Sequence, residues 1–334
     1  MFYSTVLILT GLSFGHSLKG PFSENFVKFL ALNDQFSDLT SLEYGINGSF
    51  GGKLLDNQQA RDRVKREPVI FIHGNSDGAL DNGKGPFSGG WNQPIEYFME
   101  KGYTSAELYA LTWGDRNLAN AGLRQHTCKH LKRIRGFIEA VLQYTESPKV
   151  DLVAHSMGVT LTRQAVKGGR IFLGGGDECD LGESLGDRVD TLLGIAGANY
   201  GLCSCTNEIA QVVPACAYKL GFWAGDTCLS SPTTVPTDPL TCQSATEADD
   251  CGQRDYAYFL KRLNEDDAAE GDVIMSMWSE DDEIVGNGGR VWGVPTGLIP
   301  KSRASLVFED LSHEAMKART GRAQFLAVTK HSFA

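Results

Sequence analysis

The sequence predicts an α/β chain: a doubly wound, mostly parallel sheet covered by helices, with a cysteine-rich insertion over the C-terminal edge of the strands. Three observations predict it. Short apolar runs such as Val69-Ile70-Phe71-Ile72 are continuous rather than alternating, as in strands buried on both faces. Stretches with apolar residues at helical spacing lie between them, and strand–helix alternation implies a parallel sheet. One run, Val150 to Leu161, passes from strand to helix through a corner of small residues carrying a serine.

The chain has 334 residues, of which 42% are apolar, enough for a sizeable core in one domain. Its formal net charge of -10 disfavours nucleic acid and electrostatic docking onto anionic membranes. Residues 1–17 open with an apolar run that meets small residues near Gly15 and Ser17, the pattern of a cleaved signal peptide, although no Lys or Arg precedes the run. A buried N-terminal strand or helix is the alternative. The run is shorter than the roughly 20 residues that a membrane span needs. The expectation is a secreted, extracellular chain with no transmembrane segment, in which residues 18–334 form one domain.

Cysteine usage agrees with secretion. There are eight, seven of them between Cys179 and Cys251, with Cys128 standing apart. An even number in a secreted chain reads as disulfides, whose connectivity stays open. Zinc is the weaker reading, because Cys203 and Cys205 are too close for a C-x-x-C pair and no histidine lies nearby. Asn47-Gly48-Ser49 is the one N-glycosylation sequon, in a glycine-rich loop. Arg63-Val64-Lys65-Arg66 has the form of a basic processing site, but cleavage there would expose a core strand, so a solvated loop is the better reading.

The elements follow in order. An amphipathic patch spans Phe26 to Leu32. Pro68 to Ile72 is a buried strand ending in His73-Gly74-Asn75, followed by a glycine-rich loop from Asp77 to Gly90. Ile95, Phe98 and Met99 give Trp91 to Gly102 a helical spacing, and Ala106 to Trp113 is the next strand. From His126 to Tyr144, Leu131, Ile134, Phe137, Ile138, Val141 and Leu142 share one helix face. His126 and His130 lie four apart on this stretch, but without a third ligand nearby exposed helix histidines are the better reading. After the serine corner and its helix come strands at Arg188 to Gly197, Asp272 to Trp278 and Ser305 to Phe308. Residues 199–262 break the alternation and hold six cysteines and the proline-rich Pro232 to Pro239. Their apolar members Val212, Val213, Tyr218, Leu220, Phe222 and Trp223 form either a lid or acyl-binding wall, or a plain cover over the core; both readings stay open.

The corner Ala154-His155-Ser156-Met157-Gly158 is a variant of the G-x-S-x-G nucleophile elbow, with alanine at the first glycine position. Small residues two positions either side of the serine are what a strained, tight turn requires. The helix that follows points its N-terminal amides at the serine, which suits a developing oxyanion. Serine needs a base, and the base needs an orienting carboxylate. An elbow predicts the chain order serine, acid, histidine. Glu280-Asp281-Asp282-Glu283 follows the strand ending at Trp278, and His313 follows the strand ending at Phe308; the one other histidine after the elbow is His331. His155 is expected to point away from the serine as a packing residue. Two amides converging on one point would stabilise an oxyanion, one from Met157 and one from Asn75 after the His73-Gly74 pair.

These segments, V-I-F-I-H-G-N, D-L-V-A-H-S-M-G, D-D-E-I-V-G and a late L-S-H, resemble the class 2 lipases, α/β-hydrolases that include small secreted bacterial triacylglycerol lipases and an expanded nematode group. The resemblance implies an α/β-hydrolase fold, Ser156 as nucleophile, His313 as base, Asp282 as the acid with Asp281 in reserve, and Asn75 and Met157 as the oxyanion donors. It also implies carboxylic ester hydrolysis on lipid or other acyl esters; transient contact at a lipid interface is a separate expectation, and the triad chemistry requires no cofactor or metal. The small bacterial enzymes have no counterpart to residues 199–262, so their interfacial behaviour does not transfer. A phospholipase or acyltransferase on the same triad is the rival among enzymes, and a non-catalytic lipid-binding protein of this fold is the rival from another class.

Overall fold

The apolar runs form strands where expected. The computed structural model describes residues 18–54, 63–174, 176–225, 255–285, 289–291 and 294–334. The expected signal peptide, the proline-rich Pro232 to Pro239, and Cys228, Cys242 and Cys251 lie outside the described residues.

The strands are β1 (Ser49–Phe50), β2 (Val69–Ile72), β3 (Leu108–Leu111), β4 (Val150–His155), β5 (Arg170–Gly174), β6 (Asp177–Asp180), β7 (Val189–Ile195), β8 (Val273–Ser279), β9 (Arg290–Val291), β10 (Val294–Pro295) and β11 (Ala304–Phe308). The helices are α1 (Glu24–Ala31), α2 (Asn92–Glu100), α3 (Cys128–Thr145), α4 (Met157–Lys167), α5 (Asn207–Val212), α6 (Tyr258–Glu265), α7 (His313–Ala318) and α8 (Gly321–Lys330). Seven strands make one sheet in the order β1-β3-β2-β4-β7-β8-β11, parallel throughout except for β1.

Continuous apolar strands arise because each side of the sheet has its own core. Along β2, Ile70 and Ile72 enter one apolar layer, while Val69 and Phe71 enter the other. The same period of two sends Leu152 and Ala154 of β4 to the first layer and Val153 to the second. The first layer is covered by Phe26 and Leu30 of α1, the expected face of α3, and Leu260 of α6. The second is covered by Ile95 and Phe98 of α2 and Ala327 and Val328 of α8. From β2 the chain runs outward to β3 and then returns on the other side of β2 to β4. Such a reversal opens a crevice at the C-terminal ends of the strands, where open α/β sheets bind ligands.

Several details differ from the sequence reading. The sequon opens an edge strand instead of lying in a loop: Ser49 is buried in β1, and the Asn47 side-chain amide donates to the Asp81 carbonyl at 2.6 Å. Cys128 is not isolated, because it bonds to Cys179 on β6. The β5–β6 hairpin was not legible, since most of this ribbon is exposed and only Ile171 and Cys179 turn toward the core, too few to write an apolar period. Within the insertion, Cys205 bonds to Cys216, and Cys203 is also disulfide-bonded. Helix α6 straddles the expected boundary at residue 262 and packs on α4, so its residues belong to the layer covering the sheet. Phe222 and Trp223 are buried in the core, whereas Val212 and Tyr218 are exposed, so the apolar stretch covers core with only part of its length. Arg63 to Arg66 runs into β2 with the Lys65 and Arg66 amides held by the buried Glu107 carboxylate, at 2.8 and 3.1 Å.

Candidate active site

Ser156 ends β4 and caps α4 with φ 55° and ψ -132°, a left-handed conformation costly for any residue with a Cβ. Its amide donates to the Ile195 carbonyl of β7 at 2.9 Å, which ties the corner to the neighbouring strand. The small residues around it are dictated by space. A Cβ on Gly158 would lie 2.3 Å from the His73 carbonyl oxygen, and one on Gly74 would lie 2.7 Å from Ser156 Cβ. The loop after β2 therefore passes directly against the serine.

That loop is fixed by His73. The Trp113 amide donates to His73 Nε2 at 3.0 Å, so the ring proton sits on Nδ1 and is donated to the Gly74 carbonyl at 2.7 Å. Trp113 stacks on the imidazole and donates its indole N–H to the His73 carbonyl at 2.8 Å. Burial pushes the His73 pKa down to about 3, so the ring is neutral. His73 thus shapes the loop and plays no part as a base.

The acid and histidine loops are laced together. His313 Nδ1 lies 2.8 Å from Asp282 Oδ2, and Asp282 Oδ1 accepts the Ile284 and Val285 amides at 2.9 Å each. Asp282 is fully buried, while Asp281 is exposed and accepts the Asp310 amide at 2.9 Å. Glu283 accepts the His313 amide at 2.9 Å. Of the two aspartates, then, Asp282 is the one on the imidazole. The four-carboxylate turn looks like solvated surface because only one of its members turns inward.

Ser156, His313 and Asn75 line one pocket of about 120 Å³, together with Gly74, Ser76 and His155 and the apolar side chains Phe87, Leu118 and Ile284. Met157, which follows Ser156 at the start of α4, is buried. Among the described residues, neither the Asn75 nor the Met157 backbone amide has an intramolecular acceptor. A larger cavity, about 400 Å³, lies between the β5–β6 hairpin and α6, but its lining contains no serine, cysteine or histidine. Size alone does not locate the chemistry here.

His155 packs against the loop that carries His313 and also lines the pocket. It is buried, its ring lies 4.5 Å from that of His313, and its Nε2 donates to the His313 carbonyl at 3.0 Å. Burial and the nearby His313 hold it well below the ordinary histidine pKa, so it supports His313 as a neutral ring. Lys317 and Asp77 were missed. Lys317 Nζ is fully buried and bridges Asp77 at 2.5 Å and Glu314, beside His313, at 2.7 Å. Burial works against ionising Asp77, but the Lys317 charge, with the hydrogen bonds from Lys317 and the Gly90 amide, outweighs it and keeps the carboxyl below its usual range. Burial raises the Glu314 carboxyl despite Lys317. No sequence spacing marks such a pair, because its members are 240 residues apart.

His126 and His130 do not share a site. His126 precedes α3, is buried, and contacts the Leu220 carbonyl and Thr160 Oγ1 at 2.7 Å each, while His130 contacts Thr127 and the Gln125 carbonyl. Among the described residues, one acidic group brings three ligand oxygens within 4.8 Å of one another: Glu67, Asp151 and Asp190. It lies at the N-terminal ends of the strands, opposite the serine, and Asp190 there accepts from His331 at 2.7 Å.

A family model described as Lipase (class 2) matches residues 66–326, a span that includes every residue of the pocket. The chain belongs to the class 2 lipase family. It is accordingly an enzyme, a serine hydrolase of carboxylic esters. Among solved structures it is similar to a monoacylglycerol lipase from Paleococcus ferrophilus, at 15% identity over 85% of this chain and 98% of that one, with a TM-score of 0.46. It is also similar to lipase B from Aspergillus fumigatus, at 15% identity over 84% and 55% of the two chains, with a TM-score of 0.44. A carboxylesterase from Bacillus subtilis is similar at 13% identity over 81% and 86%, with a TM-score of 0.40. Likenesses this distant say nothing about the substrate of this lipase.

Proposed function

We propose that this class 2 lipase is an extracellular triacylglycerol lipase that works through Ser156, His313 and Asp282 and an acyl-enzyme. The observation that carries the reading is the 2.8 Å bond from His313 Nδ1 to Asp282, in a pocket that also holds a serine strained at the end of β4. With Nδ1–H given to Asp282, Nε2 is the free base. It removes the Ser156 proton as Oγ attacks the ester carbonyl, and the resulting oxyanion is met by the Asn75 and Met157 amides. His313 then passes the proton to the departing alcohol. Water, deprotonated by the same nitrogen, attacks the acyl-enzyme and releases the fatty acid and free serine. Every step is proton transfer and acyl transfer, so no cofactor enters.

The apolar wall of Phe87, Leu118 and Ile284 supports a lipid acyl chain over a polar acyl group, and Leu118 is half exposed at the rim, where a lipid interface would meet it. The disulfides support an oxidising compartment. The test is fatty-acid release from an emulsified long-chain triacylglycerol, a matched phospholipid and a short-chain nitrophenyl ester, by the protein and by Ser156→Ala. Triacylglycerol turnover abolished by the substitution is the expected result. Faster release from the phospholipid would reassign the substrate, and activity surviving in Ser156→Ala would overturn the mechanism.

A further inference from the structure

We propose that Arg124 is a positioning residue for the ester hydrolysis: it clamps the Asn75–Ser76 turn so that the Asn75 amide meets the developing oxyanion. The inference rests on the oxyanion role given to Asn75 above.

Arg124 follows a short turn of 3-10 helix, Leu118–Leu123, and its side chain is almost wholly buried. Both terminal nitrogens of the guanidinium are used twice. Nη1 donates to Asn75 Oδ1 at 2.5 Å and to Ser76 Oγ at 2.7 Å. Nη2 donates to the Asn117 carbonyl at 2.7 Å and to the Asp115 carboxylate, which balances the charge. The other end of the Asn75 side chain donates to the Ala121 carbonyl at 2.9 Å. Both ends of the Asn75 amide group are therefore spent on residues 115–124, and its backbone N–H is left over in the pocket that contains Ser156.

The turn needs holding. Ser76 sits at φ 68°, a left-handed conformation that a non-glycine residue keeps only when its surroundings over-determine it. The bond from Arg124 to Ser76 Oγ supplies that constraint at the residue next to the oxyanion donor. The clamp is itself braced from outside. Gln125 Nε2 donates to the Pro214 carbonyl and the His126 amide to the Leu220 carbonyl, both at 3.0 Å, so the disulfide-stapled segment around Cys205–Cys216 backs the segment that carries Arg124. A planar fork suits this four-way bridge, whereas a lysine ammonium is a point donor that cannot span it.

The consequence is specific. Loss of the clamp displaces an oxyanion donor without touching the ground-state contacts of the substrate. Arg124→Lys and Arg124→Met should lower kcat by about 10- to 100-fold, short of the roughly 100- to 1,000-fold cost of losing a donor outright, and leave KM unchanged. Affinity for a trifluoromethyl ketone, whose serine adduct carries the oxyanion, should fall by the same factor as kcat/KM. In an Asn75→Ala background, which already lacks the Oδ1 contact, Arg124→Lys should cost less than it does alone.

The experiment compares the full-length oxidised protein with these variants, measuring Tm, kcat, KM and ketone affinity, with fluorophosphonate labelling of Ser156 in the unaltered protein as the control. A kcat loss in a folded Arg124→Lys variant, matched by the ketone, is the expected result. A folded variant with unchanged kcat, or with a raised KM alone, overturns the clamp while the catalytic reading stands. An unaltered protein that takes no label on Ser156 overturns the catalytic reading, and the clamp falls with it.

Discussion

The carboxylate of Asp282 is divided between two tasks: Oδ2 lies 2.8 Å from His313 Nδ1, and Oδ1 accepts the backbone amides of Ile284 and Val285. The amides hold the carboxyl at one angle, and the carboxyl in turn holds the imidazole with its Nδ1 protonated. Asp281, one residue earlier, turns outward to the Asp310 amide. Asp282→Asn should therefore reduce kcat by about 1,000- to 10,000-fold, in line with serine-hydrolase triads in which the tautomer is lost. Asp281→Asn should leave kcat close to that of the parent. Steady-state kinetics on one soluble ester decide the matter, and a larger loss from Asp281→Asn would reassign the acid.

Gly158 is required by space rather than by backbone angle. An added Cβ would sit 2.3 Å from the His73 carbonyl, backbone that cannot swing away as a side-chain tip would. Gly158→Ala should destabilise the fold by about 1–3 kcal/mol through overpacking and displace the loop carrying Asn75. Urea unfolding measures the first effect and kcat the second. A variant with parental stability and activity would show that the β2 loop is free to move.

The neutral buried histidines make stability depend on pH. Burial lowers the His126 pKa to about 4. Between that value and the ordinary 6.5 the unfolded chain binds a proton that the native state refuses, so stability falls as pH drops through this window. The contribution is about 1.4 kcal/mol per pH unit for one such group. His126→Asn should thus lose about 2 kcal/mol less than the parent between pH 7 and pH 5. Urea midpoints at the two pH values test this, and an unchanged difference would mean that His126 is protonated in the fold.

Lys317 neutralises Asp77 in the interior, both being almost fully buried. Removing one partner strands the other as an uncompensated charge. Lys317→Met should cost about 3–5 kcal/mol, whereas Lys317→Met with Asp77→Leu should recover much of that loss. Thermal unfolding of both variants is the measurement. Equal losses in the single and double variants would show that the pair does not act as a unit.

Much of the fold was legible because parallel strands buried on both faces write apolar runs: β2 is apolar throughout, and β4, β7 and β8 are mostly so, interrupted by Asp151, by Asp190 and Thr191, and by Ser276. The small residues of the elbow were legible too, since Gly158 and Gly74 answer steric demands that a sequence records. The hairpin β5–β6 was not, because only its Ile171 and Cys179 pack on the core, too few to impose a period. The roles of His155 and Lys317 were hidden for another reason: their partners, His313 and Asp77, lie far away in the chain and meet them only through the topology. Nothing in the sequence marks Arg124, because its partners Asn75 and Ser76 lie nearly fifty residues away and meet it only through the fold.

The most direct test of the central claim is intact-mass and peptide mapping after treatment with a fluorophosphonate. The account predicts one adduct per chain, on Ser156, with ester hydrolysis lost in proportion to labelling and no adduct on Ser156→Ala. Full ester hydrolysis by a folded Ser156→Ala protein, or an adduct on another residue that abolishes activity, would contradict it.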